Sequence, residues 1–347
     1  MERTRAIHIS LHVAVCTLVA LLLCTCLAGC ESTGMGEFGS SSDTSALWNR
    51  QAPEGGGAIH VTGDSSSWFW KTYQFDADGR LVAKESFSPE GGTWSIANYH
   101  YDSQGRLSSV TGSCEGGGPN TTRSFETTYS YRDDGSFDVF RRDGGALSMT
   151  KSYDAAGRIV ESHSFFSSSD REDRETFAYD DQGRQTAHWY FNNDEVNWSS
   201  SQTYEYDTDD QGDFKRTYYY DANTQQPNLC LTEWLDSEGR PVKSADSTLQ
   251  DDGTWTLDGS SIETYTYSET IEYYPGTATV SSKTEVCDSS DPSDSSVSTT
   301  AYDERGFPVS RTRMAFGEAH VTSAEYKGNV PAGFLDDDLD APGTPSS

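Results

Sequence analysis

Aromatic and polar residues alternate along most of this chain. In Thr72-Tyr73-Gln74-Phe75 the two aromatics fall two positions apart, and strand side chains point to opposite faces in turn, so Tyr73 and Phe75 share one face. The pattern returns at Tyr99-His100-Tyr101, Tyr129-Ser130-Tyr131, Phe177-Ala178-Tyr179 and Tyr204-Glu205-Tyr206. Turn signals follow: Asp76-Ala77-Asp78-Gly79-Arg80, Asp102-Ser103-Gln104-Gly105-Arg106 and Asp180-Asp181-Gln182-Gly183-Arg184 after three of these pairs, Arg132-Asp133-Asp134-Gly135 after Tyr131, Asp207 with Gly212 after Tyr206, and Asp154-Ala155-Ala156-Gly157-Arg158 after Tyr153. The leading Asp caps such a turn through its own backbone, and Gly takes the left-handed position that closes a bulged hairpin. Arg and an apolar residue then open the returning strand. The motif glycines at 79, 105, 135, 157, 183, 212 and 239 are separated by 26, 30, 22, 26, 29 and 27 residues. Later copies stand at Asp236-Ser237-Glu238-Gly239-Arg240 and Tyr302-Asp303-Glu304-Arg305-Gly306, with weaker ones at Tyr218-Tyr219-Tyr220-Asp221 and Tyr265-Thr266-Tyr267. Between motifs lie other turn formers, among them Gly116-Gly117-Gly118, Asp143-Gly144-Gly145 and Asn192-Asn193-Asp194, which reverse the chain again. Each period is therefore two strands, and the predicted fold class is all-β, an antiparallel meander of repeated hairpins.

The ends do not share this pattern. Arg3 and Arg5 precede an apolar run from about Leu11 to Leu27, which closes in Leu27-Ala28-Gly29-Cys30 before the chain turns polar at Glu31. This resembles the bacterial lipoprotein signal and its lipobox, in which the cysteine thiol takes a diacylglyceryl thioether after cleavage in front of it. The resemblance implies that residues 1–29 are a signal peptide, that Cys30 is lipidated, and that the body is held at the extracytoplasmic face of a membrane. Residues 30–57, rich in Gly and Ser, read as a flexible tether. Residues 58–330 form the repeat body, and residues 331–347, with Asp336-Asp337-Asp338, read as an acidic disordered tail.

Composition sharpens the picture. With 25 Lys+Arg against 55 Asp+Glu in 347 residues, the formal net charge is −30. That balance repels a phosphate backbone and excludes a general nucleic-acid binder. It would suit disorder, yet 19 Tyr, 15 Phe and 8 Trp are too many aromatics for a chain that never packs. The repeat reconciles both, since Asp and Gly make the turns while Tyr and Phe line the strands. Past the lipobox only Cys114, Cys230 and Cys287 remain, an odd set that permits at most one disulfide and shows no zinc spacing.

The reiterated Tyr-Asp-x-x-Gly-Arg-Leu resembles the YD-repeat, or RHS-repeat, family over about residues 68–316. That resemblance implies a curved sheet or an open barrel or shell on a bacterial surface, and a link to carbohydrate. The roughly ten units here are expected to be too few for a closed shell, and no toxin module follows them.

Candidate chemistry is sparse. The histidines past the lipobox (His60, His100, His163, His188, His320) lack ligand or catalytic spacing, and the abundant carboxylates make any hydrolase-like pair unspecific. Asp207-Thr208-Asp209-Asp210-Gln211-Gly212-Asp213 resembles the first half of a calcium loop, with Asp207, Asp209, Gln211 and Asp213 as candidate ligands. Its twelfth position is Tyr218, which supplies no bidentate carboxylate. No cofactor is otherwise expected. Trp68, Trp70, Trp94, Trp189, Trp198, Trp234 and Trp255 either fill the packing between strands or stack on sugar rings. For a glycan site Trp94, Trp189 and Trp198 are the first candidates, the last two because they flank a turn. The functional expectation is a non-enzymatic surface protein that binds a glycan, a cell-envelope polymer or a surface protein. A spacer or assembly element without a small ligand is the alternative, and a carboxylate hydrolase comes third.

Overall fold

The computed structural model describes residues 45–63, 69–88, 93–115, 122–166, 171–250, 252–259, 261–292, 294–315 and 318–331. The expected signal peptide, Cys30, Trp68 and the acidic tail lie outside these residues. A short helix, α1 (Ala46–Asn49), precedes twenty-two strands. They are β1 (Gly57–Gly63), β2 (Trp70–Phe75), β3 (Leu81–Ser88), β4 (Thr93–Tyr101), β5 (Leu107–Glu115), β6 (Thr122–Tyr131), β7 (Phe137–Asp143) and β8 (Ala146–Tyr153). There follow β9 (Ile159–Phe166), β10 (Arg171–Tyr179), β11 (Gln185–Asn192), β12 (Glu195–Val196), β13 (Gln202–Asp209), β14 (Gly212–Tyr220), β15 (Pro227–Leu235) and β16 (Pro241–Leu249). The last are β17 (Trp255–Leu257), β18 (Glu263–Tyr273), β19 (Val280–Ser289), β20 (Ser296–Tyr302), β21 (Pro308–Ala315) and β22 (Glu318–Gly328).

Sequential strands pair antiparallel, as the hairpin pattern requires. The meander does not stay open. β1 pairs with β22 from Gly57↔Gly328 to Gly63↔Thr322, while its other edge holds β2, so the sheet closes on itself. β12 and β17 are short additions to the loops after β11 and β16, leaving twenty strands as the staves of a β-barrel. Closure corrects the expectation of an open sheet or shell. The physical reason is that an open meander leaves two rows of unpaired backbone N–H and C=O groups, and only closure removes both edges. Close approach at the seam needs glycine: a Cβ on Gly57 would stand 2.3 Å from the Asn329 carbonyl oxygen.

The repeat motif lies along one rim, and its chemistry is regular. In the first copy Asp76 Oδ1 accepts hydrogen bonds from the backbone N–H groups of Asp78 (3.0 Å) and Arg80 (2.9 Å), and Oδ2 accepts from Arg80 Nε (2.8 Å). The same three bonds recur at Asp102/Arg106, Asp154/Arg158, Asp180/Arg184 and Asp236/Arg240. Gly79 and Gly105 sit at φ +78°, where a side chain would be strained. After the turn one residue of the returning strand goes unpaired: Phe75 faces Leu81 while Gln74 faces Ala83, a bulge repeated at Tyr101, Tyr153 and Tyr179.

The motif arginine has a second role that alternation and turn chemistry do not reveal. Each guanidinium lies over the second tyrosine of the next repeat: Arg80 over Tyr101 (5.3 Å), Arg106 over Tyr131 (4.2 Å), Arg158 over Tyr179 (4.6 Å), Arg184 over Tyr206 (4.5 Å) and Arg240 over Tyr267 (4.5 Å). Four of these tyrosines also donate their hydroxyl back to the carbonyl that follows the arginine: Tyr101 to Leu81 (2.7 Å), Tyr131 to Leu107 (2.9 Å), Tyr179 to Ile159 (2.8 Å) and Tyr267 to Pro241 (2.7 Å). Every clamp joins one hairpin to its neighbour. The period near 26 residues is thus the distance from one turn to the aromatic that must reach it. The weak copy at Asp221 is out of phase, turning the chain between β14 and β15 at the opposite rim with Gln225 at φ +58°. The tight reversals at that rim are as the turn formers predict: Gly144, Gly145, Asn193 and Asp194 all have positive φ.

Burial concentrates at the seam. Ile59 and Phe75 are fully buried and pack with Tyr73, Ala324 and Val330 on one face of the sheet. The opposite face there is covered by α1. Leu47 (3% exposed) and Trp48 are buried, and the α1 carbonyl of Leu47 accepts from Gln74 Nε2 (2.9 Å). Glu85, 2% exposed, accepts from Ser45 Oγ, Leu47 N (2.7 Å) and Trp94 Nε1 (2.9 Å). Trp48 stacks on His60 (5.3 Å) and carries Lys327 Nζ over its ring (3.6 Å). The tether expected to reach residue 57 is therefore corrected: from Ser45 onward the chain is a strap fastened across β1–β4 and β22, because Leu47 and Trp48 provide apolar area that a Gly/Ser count overlooks.

Candidate functional site

Away from the strap, the face that carries His60, Thr72 and Glu85 near the seam bears an aromatic cleft. Strand alternation sets it up. On β14, Arg216, Tyr218 and Tyr220 point to this face; on β15 the register partners are Cys230 opposite Tyr218, Thr232 opposite Arg216 and Trp234 opposite Phe214; on β16 Ser247 stands opposite Cys230. The loop after β16 returns as β17, pairing Leu257 with Ser247 and Trp255 with Leu249, which completes a wall. The cleft encloses about 340 Å³ between Arg216, Tyr218, Trp234, Trp255 and Leu257, with Cys230, Thr232 and Ser247 beneath. Trp255 and Leu257, 39% and 51% exposed, present adjacent apolar surface to the cleft.

Its polar groups are tied to one another. Tyr218 donates to Glu205 Oε2 (2.7 Å), and Arg216 Nη1 lies 3.5 Å from the same oxygen. Burial, with the Glu205 carboxylate beside it, pushes the Tyr218 hydroxyl up to about 12, so it remains a donor through neutral pH. Trp234 donates its indole N–H to Asp209 Oδ2 (3.0 Å), a bond that holds the Asp209 carboxyl below its usual range, and Lys243 Nζ covers one side of the Trp234 ring (4.6 Å). Burial raises the Cys230 thiol above its ordinary value. Among the described residues, Cys114, Cys230 and Cys287 form no disulfide.

The three tryptophans singled out from sequence separate. Trp189 and Trp198 come together, their rings at 5.6 Å and 85°, and Tyr220 closes the triad at 5.6 Å from the first and 5.5 Å from the second. All three are half-buried. Trp94 belongs elsewhere: its indole donates to Glu85 and helps seat the strap. Trp234 and Trp255 stand in the cleft, whereas Arg216 carried no distinguishing signal and Tyr218 stood out only in a weak repeat copy and as a position unable to ligate calcium. The missing clue was the long gap between Gly239 and Gly306, where the repeat is interrupted and the β17 loop is inserted.

The calcium candidates are engaged in the β13–β14 hairpin itself. Asp207 Oδ1 accepts from Thr208 N (2.8 Å), Asp209 Oδ1 from Gln211 N (2.7 Å) and Asp213 Oδ1 from Thr208 Oγ1 (2.6 Å), while Gln211 Oε1 accepts from Lys243 Nζ (2.7 Å). Among the described residues, no group of three His, Cys, Asp or Glu side chains is placed to hold a metal ion. The histidines take structural contacts. His163 lies between Glu172 (2.5 Å) and Glu161 (3.1 Å), and His188 meets Glu175 (2.8 Å) while stacking on Phe177 (4.7 Å).

Charged residues occupy both faces of the strands. One face carries Glu85, Glu126, Arg142, Arg174 and Arg216, and the other Lys84, Arg141, Lys151, Glu175 and Lys215. Whichever is outermost, these mid-strand charges interrupt the apolar band that a lipid-facing barrel requires.

No family model matches the sequence, and no curated protein does. Among solved structures the chain is similar to a porin-like protein from Bacteroides uniformis, at 12% identity with a TM-score of 0.31, over 78% of this chain and 96% of that one.

Proposed function

We propose that this is a lipid-anchored surface protein of the YD-repeat type, fastened to a membrane through Cys30, whose barrel body binds a glycan in the Tyr218–Trp234–Trp255 cleft. The observation that carries the reading is the cleft itself, an open concavity walled by two tryptophans and a tyrosine with an Arg–Glu pair at its edge. Flat aromatic faces stack on the C–H faces of sugars, and paired donors and acceptors meet their hydroxyls, a mostly apolar lining with few polar groups. Charges on both faces favour a barrel surrounded by water, with the acyl chain as the membrane contact. A second reading, a spacer without a small ligand, is favoured by how much of the motif chemistry goes into the Arg–Tyr clamps.

The test is retention of the purified full chain, in detergent micelles, on insoluble cell-wall polysaccharide and other glycans, with Trp255→Ala beside it. Wild type is expected to be retained and the variant released with its circular dichroism unchanged. A well-folded wild type that none of these materials retains would remove the glycan reading and leave the spacer.

A further inference from the structure

The cleft has a neighbour built on the same plan. In the loop between β11 and β13, Ser201 Oγ donates to the Asn197 carbonyl (2.8 Å) and accepts from Tyr190 N (3.0 Å), while Asn197 N reaches the Tyr190 carbonyl (2.7 Å). In the loop between β16 and β18, Ser261 Oγ donates to the Asp258 carbonyl (2.8 Å) and accepts from Asp246 N (2.9 Å), while Asp258 N reaches the Asp246 carbonyl (2.9 Å). Each loop interrupts a strand pairing, restores it with a serine, and brings a tryptophan to the sheet, Trp198 in one and Trp255 in the other. Their targets lie on one strand: Trp198 packs on Tyr220 (5.5 Å) and Trp255 on Tyr218 (5.8 Å), two residues apart on the same face of β14. Two aromatic clusters, Trp189–Trp198–Tyr220 and Tyr218–Trp255, therefore line one face from β11 toward β15, where Trp234 stands beyond Arg216 and Thr232. Three strand spacings separate those strands, about 14 Å, more than one sugar ring covers.

Resting on the glycan reading, we propose that the ligand is a neutral polysaccharide, bound as an extended chain along this track with the two loops as separate subsites. Neutrality follows from charge. Arg216 is balanced by Glu205, Lys243 is spent on Trp234 and Gln211, and a net charge of −30 repels a polyanion before it arrives. The Arg216–Glu205–Tyr218 group presents donors and an acceptor together, as adjacent hydroxyls need, rather than the unbalanced cations that a phosphate or uronate polymer would need. The two-subsite arrangement makes binding depend on length, since a ligand spanning both loops gains the second contact within one complex.

The experiment titrates the full chain in micelles with neutral glucan and chitin oligosaccharides of one to six units, and with polygalacturonate and polyphosphate, following tryptophan fluorescence and calorimetry. Affinity is expected to rise at least tenfold from the disaccharide to the hexasaccharide of the series that binds. Trp198→Ala should abolish that rise while leaving short-ligand affinity within about twofold, and Trp255→Ala should lower both. Length-independent binding, an unchanged rise in Trp198→Ala, or tighter binding of either polyanion overturns this inference while leaving the glycan reading in place. Failure of a folded chain to bind any saccharide overturns both.

Discussion

Glu85 offers the sharpest test of how the body is held together. Its carboxylate is buried with no cation paired to it among the described residues and accepts three hydrogen bonds, two on Oε2 from the strap and one on Oε1 from Trp94. Glu85→Gln keeps the shape. One amide oxygen can retain Ser45 and Leu47 as neutral bonds, each weaker than the charged bond by about 1 kcal/mol, and the amide NH₂ then faces the Trp94 N–H, donor against donor, at a cost of about 1–3 kcal/mol. Relief from burying a charge works the other way by a comparable amount for a single bond, so the net loss is about 2 kcal/mol. The loss falls on the strap, because α1 is a single turn that leans on this side chain. An opening equilibrium shifted by about 2 kcal/mol is about 30-fold, read directly as faster amide exchange at residues 45–50 by mass spectrometry. Adding Trp94→Phe removes the opposed donor and should restore about half of the loss. Unchanged exchange at 45–50 in Glu85→Gln would refute the reasoning, as would a double variant no better than the single.

Two further outcomes follow from the geometry. In the rim clamp, Tyr131→Phe removes the 2.9 Å bond to the Leu107 carbonyl and should cost about 0.5–1.5 kcal/mol in chemical denaturation; a double-mutant cycle of Tyr131→Leu with Arg106→Ala, which removes the ring under the guanidinium, should show coupling of about 0.5–1 kcal/mol, and a cycle that sums to zero would mean the stacking is incidental. Acid should act in two stages. Burial lowers the pKa of His60 from 6.5, with Glu325 and Glu85 opposing and Lys327 assisting, and Thr72 Oγ1 lies 2.8 Å from its Nδ1. The fold therefore holds His60 neutral, and stability present above pH 6.5 declines as pH falls below it. The motif carboxyls titrate lower. Asp102 and Asp236 are lowered from 3.8 chiefly by the backbone N–H groups of Arg106 and Arg240. Their contribution is complete above pH 3.8 and disappears as pH falls through their folded values. Thermal melts from pH 8 to 3 should show both stages, and His60→Gln should flatten the upper one; an identical slope in that variant would assign the upper stage to another group.

How much was legible in the sequence depends on how local each decision is. Strand direction, hairpin order, the Asp-capped turn and its left-handed glycine are settled within a few residues, so alternation and spacing display them, as Tyr73, Asp76 and Gly79 do. The repeat period was legible too, though not its cause, because Arg106 meets Tyr131 only once two hairpins lie side by side. Closure was invisible: whether β1 finds β22 depends on curvature summed over twenty staves, and no local window holds that quantity. The strap was missed because Leu47 and Trp48 are too few to form a period, although the seam gives them a complete burial site. The cleft depended on tertiary structure most of all. Trp234 and Trp255 are ordinary tryptophans in the chain, one on a strand and one in an interrupted repeat, and the β17 loop alone turns them toward the same space. Sequence by itself determined the unit and its turns through backbone and side-chain chemistry that acts within a few residues. Tertiary structure decided closure, the strap and the aromatic track, because each joins residues whose proximity is a property of the finished barrel.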